Sequence, residues 1–171
     1  MKAAFAVMLF ALSAFAQDPA SSPVTAACGP KDTTFDVKRD ATQHTLADPE
    51  PGKARVYFIQ DTGVINCLGA CITLKVGLDG AWVGALQDNS YFTLSVDPGE
   101  HHLCVNRQSR FATVNRKTAL ARFSAKPGKV YYYRALTWGG PNEAFLDLQP
   151  LDIDMAKYLI TTYPLSIAHP K

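Results

Sequence analysis

Three turn pairs, Asp79-Gly80, Pro98-Gly99 and Pro127-Gly128, punctuate a run of short apolar–polar alternations that contains no helical period. Asp-Gly suits a two-residue hairpin, because both central positions need positive φ. Pro presets φ and Gly takes the left-handed position in the other two. Between the turns the side chains alternate. Ile72, Leu74, Val76 and Leu78 interleave with Thr73, Lys75 and Gly77, the period of a strand with one buried face. The same reading gives strands at 56–59, 81–86, 91–97, 101–106, 118–125, 130–137 and 143–149, with 56–59 as a central strand. Seven or eight short strands without intervening helices indicate a mainly β chain folded as an antiparallel β-sandwich.

After residue 149 the period shifts. Asp152 is placed to cap a helix, Ile153, Ala156, Leu159, Ile160 and Tyr163 recur at three- and four-residue spacing, and Pro164 ends the run. The chain therefore divides into four stretches. Residues 1–16 are a signal peptide, 17–53 a Pro-rich N-terminal arm, 54–149 the β-sandwich domain, and 150–171 a C-terminal helix and tail. Within the arm only 34–37 suits an extended conformation.

The signal reading rests on Lys2 followed by a small or apolar run, Ala3 to Ala16, and on Ala14-Phe15-Ala16, which fits cleavage between Ala16 and Gln17. As a helix that run spans about 21 Å, too short for a bilayer core of roughly 30 Å. No later segment is long and apolar enough to serve as a transmembrane span, so the mature chain is expected in the periplasm or outside the cell. Lipid anchoring at Cys28 is the less favoured alternative, because a polar stretch separates Cys28 from the apolar run.

Loss of the signal removes Lys2 and takes the formal net charge from +2 to about +1. That balance argues against a nucleic-acid partner. Arg107, Arg110, Arg116 and Lys117 form a local basic stretch. Four cysteines, Cys28, Cys67, Cys71 and Cys104, all lie in the exported part, where an even count reads as disulfides. Three pairings are possible. Cys67 and Cys71 flank a short flexible Leu-Gly-Ala, which favours their closing on each other and leaves Cys28 to meet Cys104. The spacings lack the paired pattern of a zinc site, even with His102 added.

Glu100-His101-His102 is the densest titratable cluster, but adjacent strand residues point to opposite faces. Asp147, Asp152 and Asp154 gather near the end without EF-hand spacing, and capping explains the last two. No nucleophile elbow, zinc helix or phosphate loop is present, and no cofactor is implied. Tyr57, Tyr91, Tyr131, Tyr133 and Trp82 are expected to line an outer sheet face, where amphipathic rings suit a binding surface.

The ordered set Ala54-Arg55-Val56-Tyr57-Phe58, Val76-Gly77-Leu78-Asp79-Gly80 with Gly84, Ser90-Tyr91-Phe92, Pro98-Gly99-Glu100-His101 and Pro127-Gly128-Lys129-Val130-Tyr131-Tyr132 resembles the bacterial domain of unknown function 2846. That family occurs in exported proteins and lipoproteins and is similar to PEGA-type surface β-domains. The resemblance implies a β-sandwich outside the cytoplasm and transfers no catalytic or binding residue. The expected function is that of a non-catalytic cell-envelope module. It binds an envelope protein or a polysaccharide through one sheet face or the 107–117 loop. The alternative is a metal-dependent or hydrolytic envelope enzyme using His101, His102 or the C-terminal aspartates.

Overall fold

The computed structural model of the chain describes residues 22–44, 46–62, 72–108, 118–140 and 143–171. Residues 1–16, read from the sequence as an export signal, with the Ala16–Gln17 junction, Cys67, Cys71, Arg110, Arg116 and Lys117 fall outside these residues.

Among the described residues, ten strands form two packed sheets. The larger runs β1 (Phe35–Asp40), β10 (Leu165–Pro170), β5 (Ser90–Val96), β2 (Ala54–Asp61), β8 (Val130–Gly140), β9 (Glu143–Pro150). The smaller runs β4 (Ala81–Gln87), β3 (Thr73–Leu78), β6 (Gly99–Gln108), β7 (Thr118–Ala125). The sandwich is as the alternation implies, and all eight strands read from the sequence are present as β2 to β9. Two more come from outside the expected strand region. β1 lies in the Pro-rich arm and β10 in the tail, and they pair antiparallel from Phe35↔Pro170 to Asp40↔Leu165. The sheets are mostly antiparallel, but β2 pairs β8 in parallel and β10 meets β5 in parallel at Leu165↔Tyr91. Asp79 and Gly80 take φ of 49° and 82°, the hairpin geometry their sequence demands.

The inter-sheet core takes Val56, Phe58, Ala135 and Leu146 from one sheet and Leu74, Val76, Leu86, Leu103 and Val105 from the other, all essentially inaccessible. β2 buries its other face too. Tyr57 and Ile59 pack with Tyr91 under α2 (Ile153–Thr162), which contributes Ala156, Leu159 and Ile160. The Asp152 carboxylate caps α2 by accepting from the backbone N–H groups of Asp154 and Met155. Tyr163, just past the helix, donates to Asp61 at 3.0 Å, and Arg134 holds the other oxygen of the same carboxylate. Burial and the neighbouring Asp61 push the Tyr163 phenol up to about 12, so this tie persists to high pH. β10 is fixed by a buried Ser90–Ser166 hydroxyl pair at 2.7 Å.

Leu159→Ala removes a buried side chain that α2 sets against β2. It is expected to destabilise the fold by about 2–4 kcal/mol in urea unfolding, whereas Tyr158→Ala, on the exposed side of the helix, should cost under about 0.5 kcal/mol.

Candidate functional site

The sequence offered two clusters of titratable side chains as candidate sites, and the structure disperses both. His101 and His102 point to opposite sides of β6. The His101 ring lies 5.5 Å from Phe123, its Nδ1 is 2.6 Å from an Asp79 carboxylate oxygen, and its Nε2 is 2.7 Å from the Asp97 carbonyl. Both partners accept, so the protonated ring, with both nitrogens donating, is the form that joins the two turns. Burial works against that charge. The bond to Asp79, the bond to the Asp97 carbonyl and the two aspartate charges outweigh it and raise the His101 pKa. His102 faces the other way and borders a shallow depression of about 530 Å³ with Ala26, Leu120 and Arg122. Asp147 accepts from Leu148 N–H and the Gln149 amide, while Asp152 caps α2. Among the described residues no three His, Cys, Asp or Glu side chains gather as a metal site.

The expected aromatic platform is a correction. Tyr57, Tyr91 and Tyr133 are 0%, 1% and 5% exposed, so none offers a ring to a ligand. Tyr131 and Tyr133 turn into the inter-sheet core, where they meet Phe123. Tyr57 and Tyr91 do lie on the outer face of the large sheet, but chain covers them. Ala47 N–H donates to the Tyr57 hydroxyl at 2.8 Å, and the Tyr91 hydroxyl donates to the Gln43 carbonyl at 3.1 Å. Trp82 is half-buried, and its indole N–H donates to the Pro30 carbonyl.

Trp82 leads to a site the sequence did not offer, because Pro30 belongs to a strap that crosses the outer face of the small sheet. The strap begins with α1 (Pro23–Ala27) and runs on to β1. Cys28 and Cys104 join in a disulfide with Cα atoms 5.3 Å apart, the pairing favoured from the sequence. Both cysteines are buried with Ala27 and Trp82, on the face of β6 opposite Leu103 and Val105. A lipid thioether at Cys28 would need the sulfur that this disulfide uses. Gly77 makes the crossing possible, since a Cβ there would lie 2.8 Å from the Ala27 carbonyl oxygen.

Lys75 completes the attachment. Its alternation in β3 placed it on a solvent face, yet the strap leaves it 4% exposed. Its ammonium donates to the carbonyls of Thr33 at 2.9 Å and Lys31 at 3.4 Å, and sits 4.2 Å from the centroid of the Trp82 ring. Burial lowers its pKa, with Asp32 partly opposing. Beside it opens a groove of about 500 Å³ lined by Lys31, Thr33, Thr34, Lys75, Asn106, Arg107, Gln108 and Lys171. Four of those eight are cationic and none is acidic. Gln108 is a fixed wall, its amide exchanging two hydrogen bonds with the Phe35 backbone at 2.8 and 2.9 Å. Arg107 and Gln108 also root the basic stretch singled out in the sequence.

A family model described as a protein of unknown function (DUF2846) matches residues 50–147, more than half of the chain. The chain belongs to the DUF2846 family. The match opens just before β2 and closes within β9, so it spans both halves of the inter-sheet core. The strap, β1, α2 and β10 of this DUF2846 protein lie outside it. The groove straddles that boundary, with Lys75, Asn106, Arg107 and Gln108 inside the match and Lys31, Thr33, Thr34 and Lys171 outside. No curated protein and no solved structure matches the chain.

Two measurements check this assembly. Replacing both Cys28 and Cys104 by serine opens a loop with a sequence separation of 76 residues. Urea unfolding should then show a loss of about 4 kcal/mol in the chain-entropy estimate. The His101 clamp makes the second. Its pKa is raised in the folded state, so its stabilisation is complete below the unfolded value of about 6.5. It is lost as pH rises through the raised folded value. Stability followed from pH 5.5 to 8.5 should decline across that window, and His101→Asn should flatten the decline.

Proposed function

We propose that this DUF2846 protein is an exported, non-catalytic module of the cell envelope that binds an envelope protein or polysaccharide at the groove between the strap, β3 and β6. The groove carries the reading. Its lining gathers four cations and no acidic residue on a scaffold pinned by a disulfide, and it takes in Arg107, where the basic stretch begins. Export is supported by the sequence of residues 1–16 and by the cysteine pairing, since disulfides persist in oxidising compartments. Among the described residues no helix is long and apolar enough to cross a membrane. The whole-face mode of binding is given up, because the strap and α2 occupy the outer faces it would need.

Osmotic-shock fractionation followed by co-sedimentation with isolated envelope material tests the proposal. The mature chain beginning at Gln17 should appear in the released fraction and sediment with envelope polymer. The Lys31→Ala/Arg107→Ala double variant should be released equally well and stay in the supernatant. A chain retained in the cytosol with Met1 intact, or sedimentation unchanged in the double variant, would overturn it.

A further inference from the structure

The groove's own chemistry narrows its ligand. Its lining is polar and holds no aromatic residue among those described, and Trp82, beside Lys75, is engaged by that ammonium on its face and by the Pro30 carbonyl at its indole N–H. Among the described residues, a neutral sugar therefore finds no ring in the lining to stack on. Its hydroxyls would only exchange water for protein hydrogen bonds, which gains little. A carboxylate finds more. Lys31 and Arg107 carry no ion pair among the described residues, and a guanidinium can hold a carboxylate through two parallel bonds.

Behind them the Lys75 charge is fixed in place by the carbonyls of Lys31 and Thr33, with no carboxylate in salt-bridge contact. Lys171 at the other wall is paired with Asp36 at 2.6 Å, but both are exposed. Such a pair exchanges for another anion at little cost. The acids that face the groove's cations are thus Asp32, acting on Lys75 from a distance, and Asp36. Lys31 and Arg107 are left to an outside anion. Thr33, Thr34 and Asn106 surround them with hydroxyls and an amide suited to sugar hydroxyls.

Resting on the reading of this groove as the binding site, we infer that its ligand is an acidic polysaccharide, with sugar carboxylates held by Lys31 and Arg107. The buried Lys75 supplies a fixed positive floor.

The test uses the mature full-length chain with its disulfide intact. It is titrated by calorimetry with an oligogalacturonate and, separately, with a maltodextrin of equal length. The acidic oligomer should bind, and its affinity should fall several-fold as salt is raised from about 50 to 200 mM, because screening reaches partly exposed charges. Lys31→Gln and Arg107→Gln should each weaken binding about five- to tenfold, the loss of one charge-assisted contact. Both variants leave the disulfide, Lys75 and the core untouched, and an unchanged melting temperature verifies that. Equal binding of both oligomers, abolished by a bulky Thr34→Trp substitution, would overturn the acidic assignment while leaving the groove as the binding site. Acidic binding that survives both Gln substitutions would overturn it by placing the ligand elsewhere. Failure of the acidic oligomer to bind would overturn it too, leaving the envelope co-sedimentation to decide the broader reading.

Discussion

β2 has no solvent face. Val56 and Phe58 fill the space between the sheets while Tyr57 and Ile59 are equally buried on the other side. A sandwich alone covers one face of each sheet, so a strand apolar on both sides obliges the chain to supply a second cover. The C-terminal helix does this with Ala156, Leu159 and Ile160. The tyrosines set a further condition, since their hydroxyls need polar partners once buried. The backbone around Gln43 and Ala47 provides them. The outer layer over the large sheet is therefore part helix and part hydrogen-bonding chain.

The small sheet is covered differently. Its outer side carries Lys75 and Gly77 beside Cys104 and Trp82, so the strap sets only a small apolar cluster, Ala27 and Cys28, against it. What crosses it is held by one covalent bond, one indole hydrogen bond and one ammonium. A buried ammonium is costly unless its protons find acceptors, and two strap carbonyls meet that need. Because the strap ends its crossing beside Arg107 and continues to Thr34 and β1, it also builds one wall of the groove. Cover and candidate site are thus the same piece of chain, and the site exists only while the strap is seated.

Strands β2 to β9 were legible from alternation or, for β2, from a short β-branched and aromatic run, with turn signals between most of them. β10 was not, and β1 only in part, as the extended 34–37. Asp36, Lys38 and Arg39 dilute β1 to two inward apolar residues, a composition suited to an edge, and β10 ends in His169-Pro170. Each is a strand because the other is present, which no local pattern reports. Alternation also misled over the tyrosines, since it separates two faces without saying whether the second is wet. The Cys28–Cys104 pairing was legible for a positional reason: Cys104 sits opposite Leu103 and Val105 and so had to meet something outside the core. The groove was not legible, because it joins residues from 31–34, 75, 106–108 and 171 that only the fold brings together.

The central claim is that the strap is a separately held cover, seated by Cys28–Cys104 and Lys75 on a core that stands without it. Amide hydrogen exchange of the full chain, oxidised and after reduction by dithiothreitol, tests this most directly. The account predicts that reduction strips residues 26–34 of their protection, while the amides of β2, β3 and β6 stay protected, lowered only by the roughly 4 kcal/mol that the lost cross-link takes from global stability. Protection of 26–34 unchanged on reduction, or lost together with that of β2, would contradict it.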